Sequence, residues 1–269
     1  KFFLKKETAL ITGASSGIGF EIAKCLAKKG FDLVITARNK KKLEHAEKIL
    51  SNEPEVSVEV IVADLHDPVA PQSIYTFCQK KGIEISLLVN NAGYAIPAPF
   101  DQTPMEEVEK FIRVLALAVI ALTKLFVRDM IAAGKGRIMM ISSVAAYAPP
   151  SRIQTLYGPV KTFINRFSEG ININYNNRGI TSTAVCPGYT VTNFHTASGV
   201  QDEMDSVPSF MKKTAYSVAE EAVIATLKGK KVCIPSKTFK LIVFLLKIVP
   251  HSLFPFFSKR LAPGRYDKK

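Results

Sequence analysis

The residues best placed to move a proton are a serine, a tyrosine and a lysine, at 143, 157 and 161. Tyr157 and Lys161 are four apart, so on a helix they share one face. The ammonium of Lys161 then lies near the phenol of Tyr157. A positive neighbour favours phenolate and lowers the tyrosine pKa from about 10. That suits a general acid/base working near neutral pH. A serine hydroxyl close by, Ser143, can hold a carbonyl oxygen. Tyr-x-x-x-Lys pairs occur by chance on many helices, so the pair needs context from the rest of the chain.

The context begins at Thr12-Gly13-Ala14-Ser15-Ser16-Gly17-Ile18-Gly19. These residues follow a short apolar run and precede an amphipathic stretch. A strand, a tight glycine turn and a helix N-terminus make an anion site, because the first helical N–H groups are unpaired and the dipole favours negative charge. Glycines let the backbone approach a pyrophosphate closely. The spacing is G-x-x-x-G-x-G rather than G-x-G-x-x-G, and a glycine turn without a ligand is the alternative.

Arg38 follows the second apolar run, with Lys40 to Lys42 beyond it and no nearby acid. An acid there would bind the ribose hydroxyls of NAD, whereas a cation pairs with the 2′-phosphate of NADP. A solvated basic turn is the alternative. Asp64-Leu65 and Asn90-Asn91-Ala92-Gly93 follow two further apolar runs. A polar side chain there can hold a neighbouring strand or an adenine edge, and Gly93 leaves room for a flat ring.

The elements that must position these groups alternate. Strands are expected at 8–11, 33–36, 56–62, 86–89, 137–141, 180–185 and 232–234. Helices are expected at 20–29, 41–50, 69–80, 105–131, 155–175 and 218–227. Near-continuous apolar strands in regular alternation with helices predict an α/β fold, a doubly wound parallel sheet covered on both faces. Ligands in such sheets bind beyond the carboxyl ends of the strands, which is where all these residues fall. With 269 residues, 47% hydrophobic content and no linker or repeat, one domain is expected.

Four scattered cysteines and four histidines give no metal or disulfide pattern. Buried, reduced thiols in a cytoplasmic protein are expected. The net charge of +13 lies in short lysine runs on expected loops and helix faces, without aromatic interleaving, so no nucleic-acid partner is expected.

Taken in order, TGASSGIG at 12–19, Asp64, NNAG at 90–93, Ser143, YGPVK at 157–161 and Pro187-Gly188 through Thr192 resemble the short-chain dehydrogenase/reductase family. The resemblance implies a single Rossmann-like domain over residues 1–269 and an NADP(H)-dependent oxidoreductase. Gly13, Ser15, Gly17, Ile18 and Gly19 would contact the pyrophosphate and adenosine ribose. Arg38 and Ser15 would recognise the 2′-phosphate. Asp64 and Leu65 would flank adenine, with Asn91, Ala92 and Gly93 beside the ribose. Lys161 would bind the nicotinamide ribose and tune Tyr157, the proton donor. Ser143 would orient the carbonyl oxygen, and Pro187, Gly188 and Thr192 would hold the nicotinamide end. The family also implies a homodimer or homotetramer, packed through the long helix and the Tyr157 helix.

Two positions depart from the family pattern. Leu115 occupies the place of an Asn that supports a water relay to the lysine, and Pro159 interrupts Tyr-x-x-x-Lys. A proline early in a helix costs little. Tyr147, Leu156 and the apolar residues of 189–214 (Phe194, Met204, Phe210 and Met211) suggest an apolar carbonyl substrate, acyl-, lipid- or steroid-like. His195 reads as a solvated loop residue. The reverse alcohol dehydrogenase direction and a poorly active cofactor-binding scaffold are the alternatives.

The stretch from Val114 to Leu122 is apolar on every side, which predicts burial against a partner subunit. Residues 237–269 form an apolar, basic extension with eight Lys/Arg and one acid, Asp267. Peripheral contact with an anionic membrane, or a cover over the pocket or a subunit interface, is expected there.

Overall fold

The computed structural model describes residues 6–96, 98–148, 155–192 and 209–248. Seven parallel strands form one sheet in the order β3-β2-β1-β4-β5-β6-β9. They are β1 (Thr8–Thr12), β2 (Asp32–Ala37), β3 (Val58–Val62), β4 (Leu87–Asn90), β5 (Gly136–Ile141), β6 (Ile180–Val185) and β9 (Val232–Cys233). The short β7 (Thr190–Val191) and β8 (Lys213–Thr214) pair apart from it. The strand order reverses between β1 and β4, so a crevice opens at their carboxyl ends.

Strand periodicity sends alternate residues to two cores. Ala9 and Ile11 join one core with α1 (Gly17–Ala27), α2 (Lys40–Leu50) and α7 (Ala215–Leu227). Leu10 joins the other with α3 (Ala70–Lys80), α4 (Met105–Ile112), α5 (Ala118–Ala132) and α6 (Tyr157–Tyr175). A last helix, α8 (Lys237–Ile248), follows β9.

Several boundaries differ from the sequence reading. Helix α1 starts at Gly17, three residues early, because Gly17-Ile18-Gly19 forms its first turn despite poor helix propensity. Helix α6 starts at Tyr157 rather than Thr155, which puts Pro159 in the first turn, where it breaks no internal bond. Helix α7 starts at Ala215, where Thr214 Oγ1 accepts the Ser217 N–H at 3.2 Å. The long helical stretch contains a π-helical turn, Arg113–Leu117, between α4 and α5.

That stretch also corrects the burial argument. Between Val114 and Leu122 only Leu117 is exposed, and the rest is buried or half-buried within the single chain. Helices α3 and α6 cover most of what the sheet does not. Most of the run is thus covered within the chain, and Leu117 is left exposed.

All four cysteines are free and buried. Among the described residues there is no cluster of metal-ligating side chains. No described helix is long and apolar enough to cross a membrane.

Candidate active site

The crevice is braced first by Thr12 and Asn91. Thr12 Oγ1 accepts the N–H groups of Asn91 at 2.9 Å and Ala92 at 3.0 Å, and donates to Val89 O at 3.3 Å. Asn91 Nδ2 donates to Thr12 O at 2.8 Å and to Gly13 O at 3.2 Å. The side-chain amide of Asn91 therefore locks β4 to the glycine loop. Gly13 and Gly17 sit at φ +66° and +59°, in the left-handed region. A Cβ at Gly13 would stand 2.9 Å from Asn91 Nδ2. One at Gly19 would overlap that amide and reach 2.5 Å from Gly13 O.

The loop fits a dinucleotide pyrophosphate. Ser16 precedes α1 in extended conformation without a side-chain cap, and no acid lies in the helix's first turn. The open N–H groups and positive dipole end are those an anion needs. Ser15 is half-buried and Ile18 is half-buried in the same turn. Thr192 reaches back over this loop, 3.5 Å from where a Gly17 Cβ would stand.

Arg38 is exposed at the end of β2, while its neighbour Asn39 caps α2 by accepting the Lys42 N–H at 3.0 Å. Asp64 is exposed and Leu65 buried beyond β3. Two residues that sequence reasoning passed over join this end. Asp64 Oδ1 accepts the His66 backbone N–H at 3.0 Å and lies 3.1 Å from His66 Nδ1. His66 Nε2 stands 3.2 Å from the Tyr94 hydroxyl. Burial pushes the Tyr94 phenol above its ordinary pKa, and the charge of Arg38 opposes that. Their places, two after Asp64 and directly after Gly93, were the only signal.

The other end is built on β5 and α6. Lys161 is buried, 6% exposed, and its Nζ donates to Ile141 O at 2.8 Å. Ser142 Oγ donates to Lys161 O at 3.0 Å. These bonds tie the end of β5, with Ser143, to the helix bearing Tyr157. Lys161 Nζ lies 5.4 Å from the Tyr157 ring centroid, so the pair shares a face as its spacing requires. Desolvation pulls the Lys161 pKa down to about 8. Ser143 Oγ accepts the Ala145 N–H at 3.1 Å, and a hydroxyl that accepts one bond keeps a proton to donate.

Val144 N–H donates to Pro187 O at 3.0 Å, which draws the Pro187-Gly188 loop to the same place. Behind Gly188 stands Phe239 of α8, whose ring fills the position of a Cβ there. Leu115 lies in the π turn, its Cγ 3.6 Å from where a Gly93 Cβ would stand. A shallow, largely apolar cleft opens beside Tyr157, lined by Ile96, Ala98, Phe100, Phe111 and Leu156 with Thr103 and Thr155. Phe194, His195 and Met204 lie outside the described residues, as does the side chain of Phe210. Met211 is half-buried.

A switch-point crevice with a glycine loop at one side and a Ser-Tyr-Lys group at the other defines a Rossmann-type oxidoreductase. The short chain dehydrogenase family model matches residues 7–203, and the chain belongs to that family. It is 33% identical over 221 residues to the very-long-chain 3-oxoacyl-CoA reductase of Anas platyrhynchos, covering 80% of this chain and 67% of that one. It is 30% identical to the Homo sapiens protein of the same name, covering 79% and 68%. Against the Phaeosphaeria nodorum counterpart, at 32% identity, it spans about half of that protein's length. Among solved structures it resembles a short-chain dehydrogenase from Sphingobium yanoikuyae in complex with NADPH. That match has a TM-score of 0.79 and 29% identity, and covers 91% of this chain and 97% of that one.

Proposed function

We propose that this chain reduces a ketone on a long apolar acyl substrate, a 3-oxoacyl thioester, using NADPH. The observation that carries the reading is the Tyr157–Lys161 face set beside an apolar cleft. Its likeness to the very-long-chain 3-oxoacyl-CoA reductases supports the substrate class.

NADPH, when bound, supplies the hydride that adds to the carbonyl carbon. Ser143 holds the carbonyl oxygen by donating its hydroxyl proton. Tyr157 gives its phenolic proton to that oxygen as negative charge develops there, so a C=O becomes a CH–OH. Lys161 stabilises the phenolate left behind and holds the nicotinamide ribose. Gly13, Ser15, Gly17, Ile18 and Gly19 hold the pyrophosphate, and Arg38 with Ser15 holds the 2′-phosphate. Asp64 and Leu65 flank the adenine, and Asn91, Ala92 and Gly93 form the wall beside the ribose. Pro187, Gly188 and Thr192 hold the nicotinamide end. A homodimer or homotetramer belongs to the same reading, with exposed Leu117 and Phe163 as contact residues.

The test is cofactor oxidation with 3-oxoacyl-CoA substrates of increasing chain length. Rates should rise with chain length and depend on NADPH rather than NADH. Arg38→Ala should weaken NADPH by roughly tenfold to a hundredfold, the worth of one charge-assisted phosphate bond. Equal wild-type affinity for the two cofactors would remove the role of Arg38. Tight NADPH binding with no turnover on any carbonyl would favour the scaffold reading.

A pH dependence follows from Lys161. Its ammonium is present below about pH 8 and lost as the pH rises through that value. NADPH affinity should therefore fall above about pH 8. The step should be absent from Lys161→Met, whose baseline affinity is already low. Fluorescence titration of NADPH across the range checks this, and a step that survives in Lys161→Met assigns it to another group.

A further inference from the structure

Helix α8 is apolar on two opposite sides. Its inner side carries Phe239 and Val243, which are 4% and 2% exposed. Phe239 packs on Gly188, with its ring centroid 6.0 Å from that of Tyr189. The outer side carries Leu241, Phe244, Leu245 and Ile248, which are 60, 60, 49 and 60% exposed. Their spacing of i, i+3, i+4 and i+7 makes one continuous stripe along the helix. Four large apolar side chains in a row on one short helix are a patch rather than scattered surface residues.

Cations border that stripe. By helical geometry Lys240 and Lys247 follow one edge of it, and Lys237 stands at its start. All three are exposed. Lys240 is anchored by Glu221 at 3.6 Å, and Lys247 lies over the Tyr147 ring at 5.1 Å from its centroid. No acid lies between Lys237 and Ile248. Five more Lys/Arg follow before the end of the chain, with Asp267 the one acid.

We propose that the outer face of α8 docks on the surface of an anionic phospholipid bilayer. The helix lies in the interface, with the stripe in the boundary between headgroups and acyl chains and the lysines among the headgroups. The inner side of α8 is packed on the domain through Phe239 and Val243, so the helix lies on the membrane rather than across it. The charge pattern selects a membrane over a second copy of this chain. A two-fold contact through the stripe would bring Lys237, Lys240 and Lys247 of each copy together, in a chain of net charge +13. An anionic bilayer satisfies both the apolar stripe and its cationic edge. Through Phe239, the inner side of the docked helix stays packed on Gly188.

The chain contains no tryptophan, so a single introduced one reports its own surroundings. Phe244→Trp should shift its emission to the blue on addition of vesicles containing phosphatidylserine, and brominated acyl chains should quench it. Neutral phosphatidylcholine vesicles should give a much weaker response, and salt should reduce the response to anionic ones. Ile173→Trp, on the far end of α6 and 82% exposed, should respond to neither. In flotation with anionic vesicles, Phe244→Glu should bind about tenfold to a hundredfold more weakly, the worth of burying one aromatic side chain. Unchanged NADPH affinity would show that this variant is folded. No emission shift of the Phe244→Trp variant on anionic vesicles would overturn the proposal, as would equal binding of Phe244→Glu. Emission already blue without lipid and dependent on protein concentration would assign the stripe to a second copy instead, which also overturns it.

Discussion

Tyr157→Phe should lower turnover by about 10²-fold or more, equivalent to about 2.7 kcal/mol or more of transition-state stabilisation. The change removes one oxygen and leaves the ring that Lys161 Nζ faces at 5.4 Å. Lys161 keeps its own bond to Ile141 O, because that bond does not involve the phenol. Cofactor binding should therefore stay close to wild type while the proton donor is gone. Single-turnover measurement with NADPH in excess separates the two quantities. A variant that turns over an accepted substrate at near-normal rate would remove Tyr157 from the chemistry. Equal loss of NADPH affinity and turnover would make its role structural.

Gly19→Ala should cost both stability and cofactor. Its Cβ would overlap the Asn91 amide and stand 2.5 Å from Gly13 O, so α1 or the brace from Asn91 to Thr12 must move. Overpacking of this kind costs about 1–3 kcal/mol, and the melting temperature should fall by several degrees. The pyrophosphate contacts depend on the same few backbone groups, so NADPH affinity should fall along with stability. Gly30→Ala is the control. Gly30 has φ +84° but nothing within 4 Å of an added Cβ. It should lose about 1 kcal/mol from strain alone and keep its affinity. If Gly19→Ala bound NADPH as the wild type does, the tight fit of α1 against Asn91 would not matter to the loop.

The strands were legible because parallel strands are buried on both faces and so read as unbroken apolar runs, as at Leu33 to Thr36. The residues at their carboxyl ends followed from that alternation. The start of α1 was not legible, since Gly17 and Gly19 argue against a helix by propensity; a left-handed φ requires the first and tertiary packing on Asn91 the second. Periodicity also concealed the π turn at Arg113–Leu117, because one widened turn inside a long helix leaves the apolar pattern nearly unchanged. The apolar run that includes it suggested a partner subunit; α3 and α6 of the same chain cover most of it and leave Leu117 exposed. Near Asp64, His66 and Tyr94 come together through loops, which carry no period to read. At the C-terminus the sequence showed an apolar, basic segment but not its two faces. Gly188 alone hinted at the inner one, as a position where some other group needed the space of a side chain.

The contact between Phe239 and Gly188 bears on timing. The Pro187-Gly188 loop is held from within by Val144, whose N–H donates to Pro187 O, and from behind by an aromatic ring. A nucleotide that enters or leaves past this loop must either lift α8 with it or slide the glycine across the ring. Were the nucleotide to pass this way, its exchange would be coupled to the C-terminal helix.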